Sequence, residues 1–332
     1  MSPRWRQVLS EVEEVSLMAR STPPARKTRK SPAKVAVTPP TGPGLGTRGW
    51  LTISSVLVFA VILSIVLPRV IGNGGGQAGA DGGDPGVAHV HGLGIDPADS
   101  TLYAATHFGV FRIPASGPAT RIADRYQDTM GFTVVGPRHF LGSGHPDERE
   151  NKPGRLGLIE STDAGQTWRA LSLEGEADFH ALKAAHGQVY GFDSGTARFM
   201  VTTDRRTWQT RSITPMIDFA VSPAGPDTIL ATTQEYGLAR STDGGRSFAP
   251  VKDAPPVVVL AWQAPDVLYG VTITGAVMAS HDAGGSWQQQ GSLDGRPEAL
   301  VAESKDKIYA ATESGIYAST DGGRTFTLRY RG

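Results

Sequence analysis

The chain has 332 residues with 32 Lys and Arg against 32 Asp and Glu, so its overall charge points to no polyanionic partner. It has no cysteine, which excludes disulfides, thiolate metal centres and lipid attachment through a cysteine. The balance hides a segregation: residues 1–49 hold nine Lys/Arg and three Glu, leaving 23 basic and 29 acidic side chains for the rest. A basic head is joined to a mildly acidic body, for which no nucleic-acid partner is expected.

The head begins with residues 5–18, where Trp5, Leu9, Val12 and Val15 fall on one side of a short candidate helix, and Met18 is a second candidate start. Residues 21–49 are rich in Pro, Lys and Arg, a composition that predicts disorder over 1–49 and contact with anionic lipid. From Trp50 to Leu67 runs "WLTISSVLVFAVILSIVL", eighteen residues without a charge, and "PRVI" extends it to position 71. That is about the minimum apolar length for a hydrocarbon core of roughly 30 Å. Basic residues crowd its N-terminal side, so the positive-inside rule places the N-terminus in the cytoplasm and everything after the segment outside. The expectation is a single-pass plasma-membrane protein anchored by residues 50–71. A cleaved secretion signal is the alternative, with "AGA" at 78–80 as the cleavage pattern, but the basic region is far longer than an ordinary signal's. Residues 72–86, "GNGGGQAGADGGDPG" with its flanks, read as a flexible tether.

From residue 87 to 332 the chain repeats itself. "STDAGQTW" (161–168), "TTDRRTW" (202–208), "STDGGRSF" (241–248), "SHDAGGSW" (280–287) and "STDGGRTF" (319–326) place Asp163, Asp204, Asp243, Asp282 and Asp321 at intervals of 41, 39, 39 and 39 residues. A period near 40 in strand-rich sequence means propeller blades or a solenoid. Between the phrases recur an apolar strand, a Gly-containing turn and a second short strand, as in "TLYAATHFGVFRI" and "KIYAATESGIYAS". Candidate inner strands precede them: "HGLGI", "MGFTVV", "FHALKA", "DFAVS", "VVVLAW" and "EALVA". Six such units predict an all-β, six-bladed β-propeller of four-stranded blades.

The phrase Ser/Thr-x-Asp-x-Gly-x-Thr/Ser-Trp/Phe resembles the Asp-box, or BNR repeat, of bacterial sialidases, sortilin-type propellers and Ycf48-like photosystem-assembly propellers. The order "HVHGLGID…ATHFGVFR…DTMGFTVVG…FLGSGHPD…DFHAL" is similar to bacterial BNR-repeat glycosyl hydrolases. The resemblance implies that each box is the hairpin between third and fourth strands of a blade. Its residue types suit that structural work: Asp accepts bonds from turn N–H groups, Gly takes positive φ, Ser/Thr ties the strand end and Trp/Phe packs beneath. The copy at 202–208 lacks the glycine and one residue, so its turn must differ, and the first blade has "IPASGPATR" instead of a box.

Propellers bind on the opposite face, at the inner-strand entries and the turns between second and third strands. The entries carry His89, His91, Asp128, Asp178, His180, Asp218 and Glu298; the second-strand ends carry His107, His145, Asp193, Glu235 and Glu313. The one long turn on this face, "HPDERENKPGRLG" (145–157), belongs to the second blade and reads as a lid or partner contact. His89, His91, His107, Asp128, His145, Asp178 and His180 are therefore the candidate ligand-binding residues, for an extracytoplasmic protein, a glycan or a divalent ion. For zinc or copper, His91, His107, His145 and His180 are the candidate ligands. The alternative is glycoside hydrolysis with Asp128, Asp178 or Glu298 as catalytic carboxylates. Sialidase chemistry is not expected: "FRIP" at 111–114 matches a sialidase phrase but puts Arg112 in a third strand, away from the rim.

Overall fold

The computed structural model describes residues 85–331. The expected segments 1–49 and 50–71, and nearly all of the tether, lie outside the described residues. Among the described residues no helix is long and apolar enough to cross a membrane.

The described chain forms 24 strands in six four-stranded antiparallel sheets, each built from four consecutive strands. The innermost strands are Val90–Ile95, Asp128–Gly136, Phe179–Ala185, Met216–Val221, Val257–Trp262 and Pro297–Ala302. The second strands are Leu102–Thr106, His139–His145, Gln188–Asp193, Ile229–Thr233, Leu268–Thr272 and Ile308–Thr312. This is the six-bladed propeller read from the 39-residue period. Almost every second-strand residue is buried, because blades stack face to face and cover both sides of these strands. Small residues such as Ala104, Ala105, Ala231 and Ala310 alternate there with Tyr103, Leu230 and Tyr309, letting neighbouring blades interlock.

Among the described residues no strand is exchanged between the first and last blades, and side chains close the ring. Val87, Leu93 and Phe111 of blade 1 share one apolar cluster with Ala299, Tyr309 and Ile316 of blade 6. Polar contacts add to it: Arg329 Nη1 donates to Ala115 O at 3.0 Å, and Val90 N donates to Glu298 Oε2 at 2.9 Å.

The repeated turns join third and fourth strands and are held by their own aspartates. In the copy at 241–248, Asp243 Oδ1 accepts from Ser241 Oγ at 2.7 Å and from Arg246 N and Ser247 N at 3.0 Å each, while Oδ2 accepts from Ser247 Oγ at 2.6 Å. Asp163, Asp282 and Asp321 repeat the pattern. Gly245 has φ +84°, and a Cβ there would lie 2.2 Å from the Phe199 ring, so the glycine serves both turn and packing. The shorter copy keeps its aspartate bonds: Asp204 Oδ1 accepts from Thr207 N at 2.8 Å and Oδ2 from Thr207 Oγ1 at 2.7 Å. Arg205 takes the positive-φ position there and reaches back to the buried Glu160, which also pairs with His139 and Arg169. Arg112 lies in the third strand of blade 1, exposed, with Tyr103 and Thr120 as its ladder partners.

Candidate functional site

Each inner strand enters its blade through a one-residue irregularity, at the same point in all six. The pairing steps from Val90 to Gly92, Thr129 to Gly131, Phe179 to Ala181, Met216 to Asp218, Val257 to Val259 and Pro297 to Ala299. The skipped residues are His91, Met130, His180, Ile217, Val258 and Glu298. A bulge leaves its extra residue unpaired and re-aims its side chain. Of these six, His91, His180, Ile217 and Glu298 line the mouth of the central channel, together with Lys183 and Asp218. The rim is therefore divided: imidazoles and carboxylates over blades 6, 1, 2 and 3, and apolar groups over blade 4, where Ile217 and Tyr236 are exposed.

The polar half resolves into two clusters. In the first, His89, His91 and His107 each offer a ring nitrogen, and these atoms lie within 4.8 Å of one another. His91 Nε2 is 3.2 Å from His107 Nδ1, and Asp128 Oδ1 lies 3.4 Å from the former and 3.1 Å from the latter. His89 sits at φ +47°, with its Nδ1 2.8 Å from Glu298 Oε1. Because the carboxylate accepts, the proton of the neutral ring sits on Nδ1 and the lone pair on Nε2.

The second cluster is His145, Asp178 and His180, again with ligand atoms within 4.8 Å. His145 Nδ1 donates to the carbonyl of Gly154 at 2.7 Å, and its Nε2 lies 3.6 Å from Asp178 Oδ2. His180 Nε2 lies 2.9 Å from the same oxygen, and Ser194 Oγ donates to it at 3.2 Å. The Asp178 side chain is nine-tenths buried, its Oδ1 has no hydrogen-bond partner, and its backbone N donates to Asp193 Oδ1 at 3.1 Å.

Burial dominates the electrostatics of the first cluster. It pushes His91 down to about 4, against the opposing pull of Asp128, so His91 is a neutral imidazole at neutral pH. Burial would raise Asp128, but the His107 and His91 imidazoles outweigh it and hold the carboxyl well below the usual range. Asp178 is likewise lowered: burial opposes ionisation, and His180 and His145 overcome it. For His89 burial is the largest single influence and lowers the imidazole, but the bond to Glu298 together with the charges of Glu298, Asp128 and Glu313 outweighs it and leaves the group raised.

The structure thus divides the four histidines singled out for metal between two clusters, His91 and His107 in one, His145 and His180 in the other. His89 joins the first of these. Glu298 is its outer partner, and Asp193, fully buried, positions Asp178. Asp218 pairs instead with Lys183 at 3.3 Å and accepts from Leu260 N, and Glu313 pairs with Arg296 at 2.6 Å. The long turn docks through Asp147, buried, which accepts from Tyr126 N at 2.9 Å and binds Arg149 at 2.6 Å. Gly144 makes the juncture possible: at φ +133°, any Cβ would stand 2.1 Å from Asp128 O.

No protein-family model and no curated protein sequence matches the chain. The fold recurs in solved structures. The GH74 enzyme of Niastella koreensis superposes with a TM-score of 0.55 at 14% identity, covering 74% of this chain and 46% of that one. A chain of a nidogen–laminin complex superposes at 0.56 with 12% identity, covering 70% and 93%. A structure of Ycf48 bound to D1 peptide aligns at 0.49 with 12% identity, covering 75% and 95%. The chain spans about half the length of the GH74 enzymes it matches. At such identities the likeness is one of fold, and it places this chain among the β-propellers.

Proposed function

We propose that this chain is a membrane-anchored, extracytoplasmic binding propeller of the Asp-box type, whose histidine face over blades 1–3 takes a divalent transition-metal ion, zinc or copper. The observation that carries the reading is the convergence to within 4.8 Å of three imidazoles in one cluster, with Asp128 beside two of them, and of two imidazoles and a carboxylate in the other. Nitrogen and oxygen donors of this kind suit zinc and copper far better than calcium or magnesium. The Asp-box assignment rests on the five repeated turns and their shared aspartate bonding, and the anchor on the charge asymmetry about Trp50–Leu67.

Glycoside hydrolysis is the weaker reading. It needs one carboxylic acid held protonated to donate to the leaving oxygen. Asp128 and Asp178 are both driven toward ionisation by histidines, and Glu298 is engaged by His89 and by Val90 N.

Metal analysis of the full-length protein purified in detergent tests the proposal, beside a fluorogenic glycoside panel. Zinc or copper retained through dialysis and lost in a His91→Ala/His180→Ala variant is the expected result. Turnover of a glycoside by metal-free protein would favour the hydrolase instead. A reporter fused after Gly332 and active only outside the cytoplasm tests the topology.

A further inference from the structure

We propose that the histidine face holds two divalent cations, one in the seam between blades 1 and 2 and one in the seam between blades 2 and 3. The inference rests on the metal reading above and deepens it, because the two clusters follow one plan. In each, a histidine at or just past the end of a second strand faces a carboxylate at the entry of the next blade. His107 Nδ1 lies 3.1 Å from Asp128 Oδ1, and His145 Nε2 lies 3.6 Å from Asp178 Oδ2.

The ladder registers show that these positions correspond. Thr106 pairs with Val90 and Gly144 with Thr129, so His107 and His145 each follow the last pair before the bulge; Asp128 and Asp178 each precede it by two residues. A bulge histidine then completes each set, His91 from the near blade and His180 from the far one.

Each cluster also has a histidine whose proton is fixed from outside. Glu298 holds Nδ1–H of His89, and the Gly154 carbonyl holds Nδ1–H of His145. In the neutral rings both Nε2 atoms are thereby left as lone-pair donors, the arrangement that outer partners impose on metal-ligating histidines. The first set is three imidazoles beside Asp128. The second is two imidazoles and Asp178, whose buried Oδ1 has no hydrogen-bond partner among the described residues.

The plan stops at these two seams. At the corresponding second-strand and entry positions stand Ser194 with Pro215, Gln234 with Pro256, and Ile273 with Arg296. Between blades 6 and 1 the pair is Glu313 with His89, but Glu313 is bound to Arg296. Asp128 and His145 are ladder partners within blade 2, yet their side chains serve opposite seams, Asp128 meeting His91 and His107, and His145 meeting Asp178. Among the described residues, the ligand atoms within 4.8 Å of one another put His91 and His107 in one group and His145 and His180 in the other, and no such group joins all four.

The test is calorimetric titration of chelator-treated full-length protein in detergent with zinc, and with copper followed by electron paramagnetic resonance. Wild type is expected to take two equivalents. His91→Ala/His107→Ala and His145→Ala/His180→Ala should each lose one equivalent and retain the other, and the fourfold variant should lose both. Should a pair of substitutions unfold the protein, the single changes His107→Gln and His145→Gln, at more exposed ligands, make the same comparison on protein whose melting is unchanged. A single equivalent abolished by either change would overturn the two-site plan and leave the metal reading standing. No binding by wild type would overturn both, and two equivalents surviving in the fourfold variant would place the ions elsewhere.

Discussion

Replacing Asp243 with alanine separates a turn that only folds the chain from a turn that binds something. The substitution removes four accepted hydrogen bonds, from Ser241 Oγ, Arg246 N, Ser247 N and Ser247 Oγ. Two donors are backbone amides that the tight turn cannot re-pair internally, but the turn lies at the surface and water replaces part of what is lost. The cost is about 1–2 kcal/mol, below the sum expected for four buried bonds to a charged acceptor. For a domain near 250 residues each kcal/mol moves the melting temperature by roughly 2–4 °C, so a fall of about 2–8 °C is expected by differential scanning calorimetry. Asp243→Asn, which keeps an oxygen at Oδ1 but replaces the acceptor at Oδ2, should lose a smaller part. Zinc affinity on the folded variant should match wild type, since the turn is on the face opposite the histidines. An unchanged melting temperature with collapsed zinc affinity would refute the reasoning and make the boxes ligand sites.

Other consequences follow from the site. His91 has its value depressed from 6.5 to about 4, so unfolded chains take up the proton first as pH falls. The metal-free protein should lose about 3 kcal/mol between pH 6.5 and 4 through this residue, read as the pH 7 to pH 4 difference in denaturation free energy against His91→Asn. His89, raised, works in the opposite sense: its contribution is present below pH 6.5 and lost as pH rises through its folded value. Gly144→Ala should drive a Cβ into Asp128 O, costing roughly 3 kcal/mol or more and weakening cation uptake at both seams; a variant with wild-type melting and uptake would contradict the juncture described. A sialic acid glycoside should not be hydrolysed, and Arg112→Ala, at an exposed strand position, should change stability by no more than about 0.5 kcal/mol; turnover lost on that substitution would revive the sialidase reading.

The amino-acid sequence by itself determined the propeller. The repeated turns close through bonds between residues two to four apart, so their chemistry is written within eight consecutive letters, and their spacing of about 39 residues, with one more strand unit before the first, counts the blades. The rim histidines and carboxylates were likewise legible as a group, because strand order alone assigns them to one face. What sequence could not supply was their pairing. A one-residue bulge at each inner entry decides whether Val90 or His91 is the residue left out of the ladder, and no local preference marks it. The contacts that sort the histidines into two clusters join residues far apart in the chain, from 16 residues between His91 and His107 within blade 1 to 209 between His89 and Glu298 across the ring closure. Outer partners such as the Gly154 carbonyl and Asp193 become visible only when the long turn and the neighbouring strand are in place. Ring closure, which brings blade 6 against blade 1, is a property of the whole chain, and with it come the Glu298 partner of His89 and the tautomer that frees His89 Nε2.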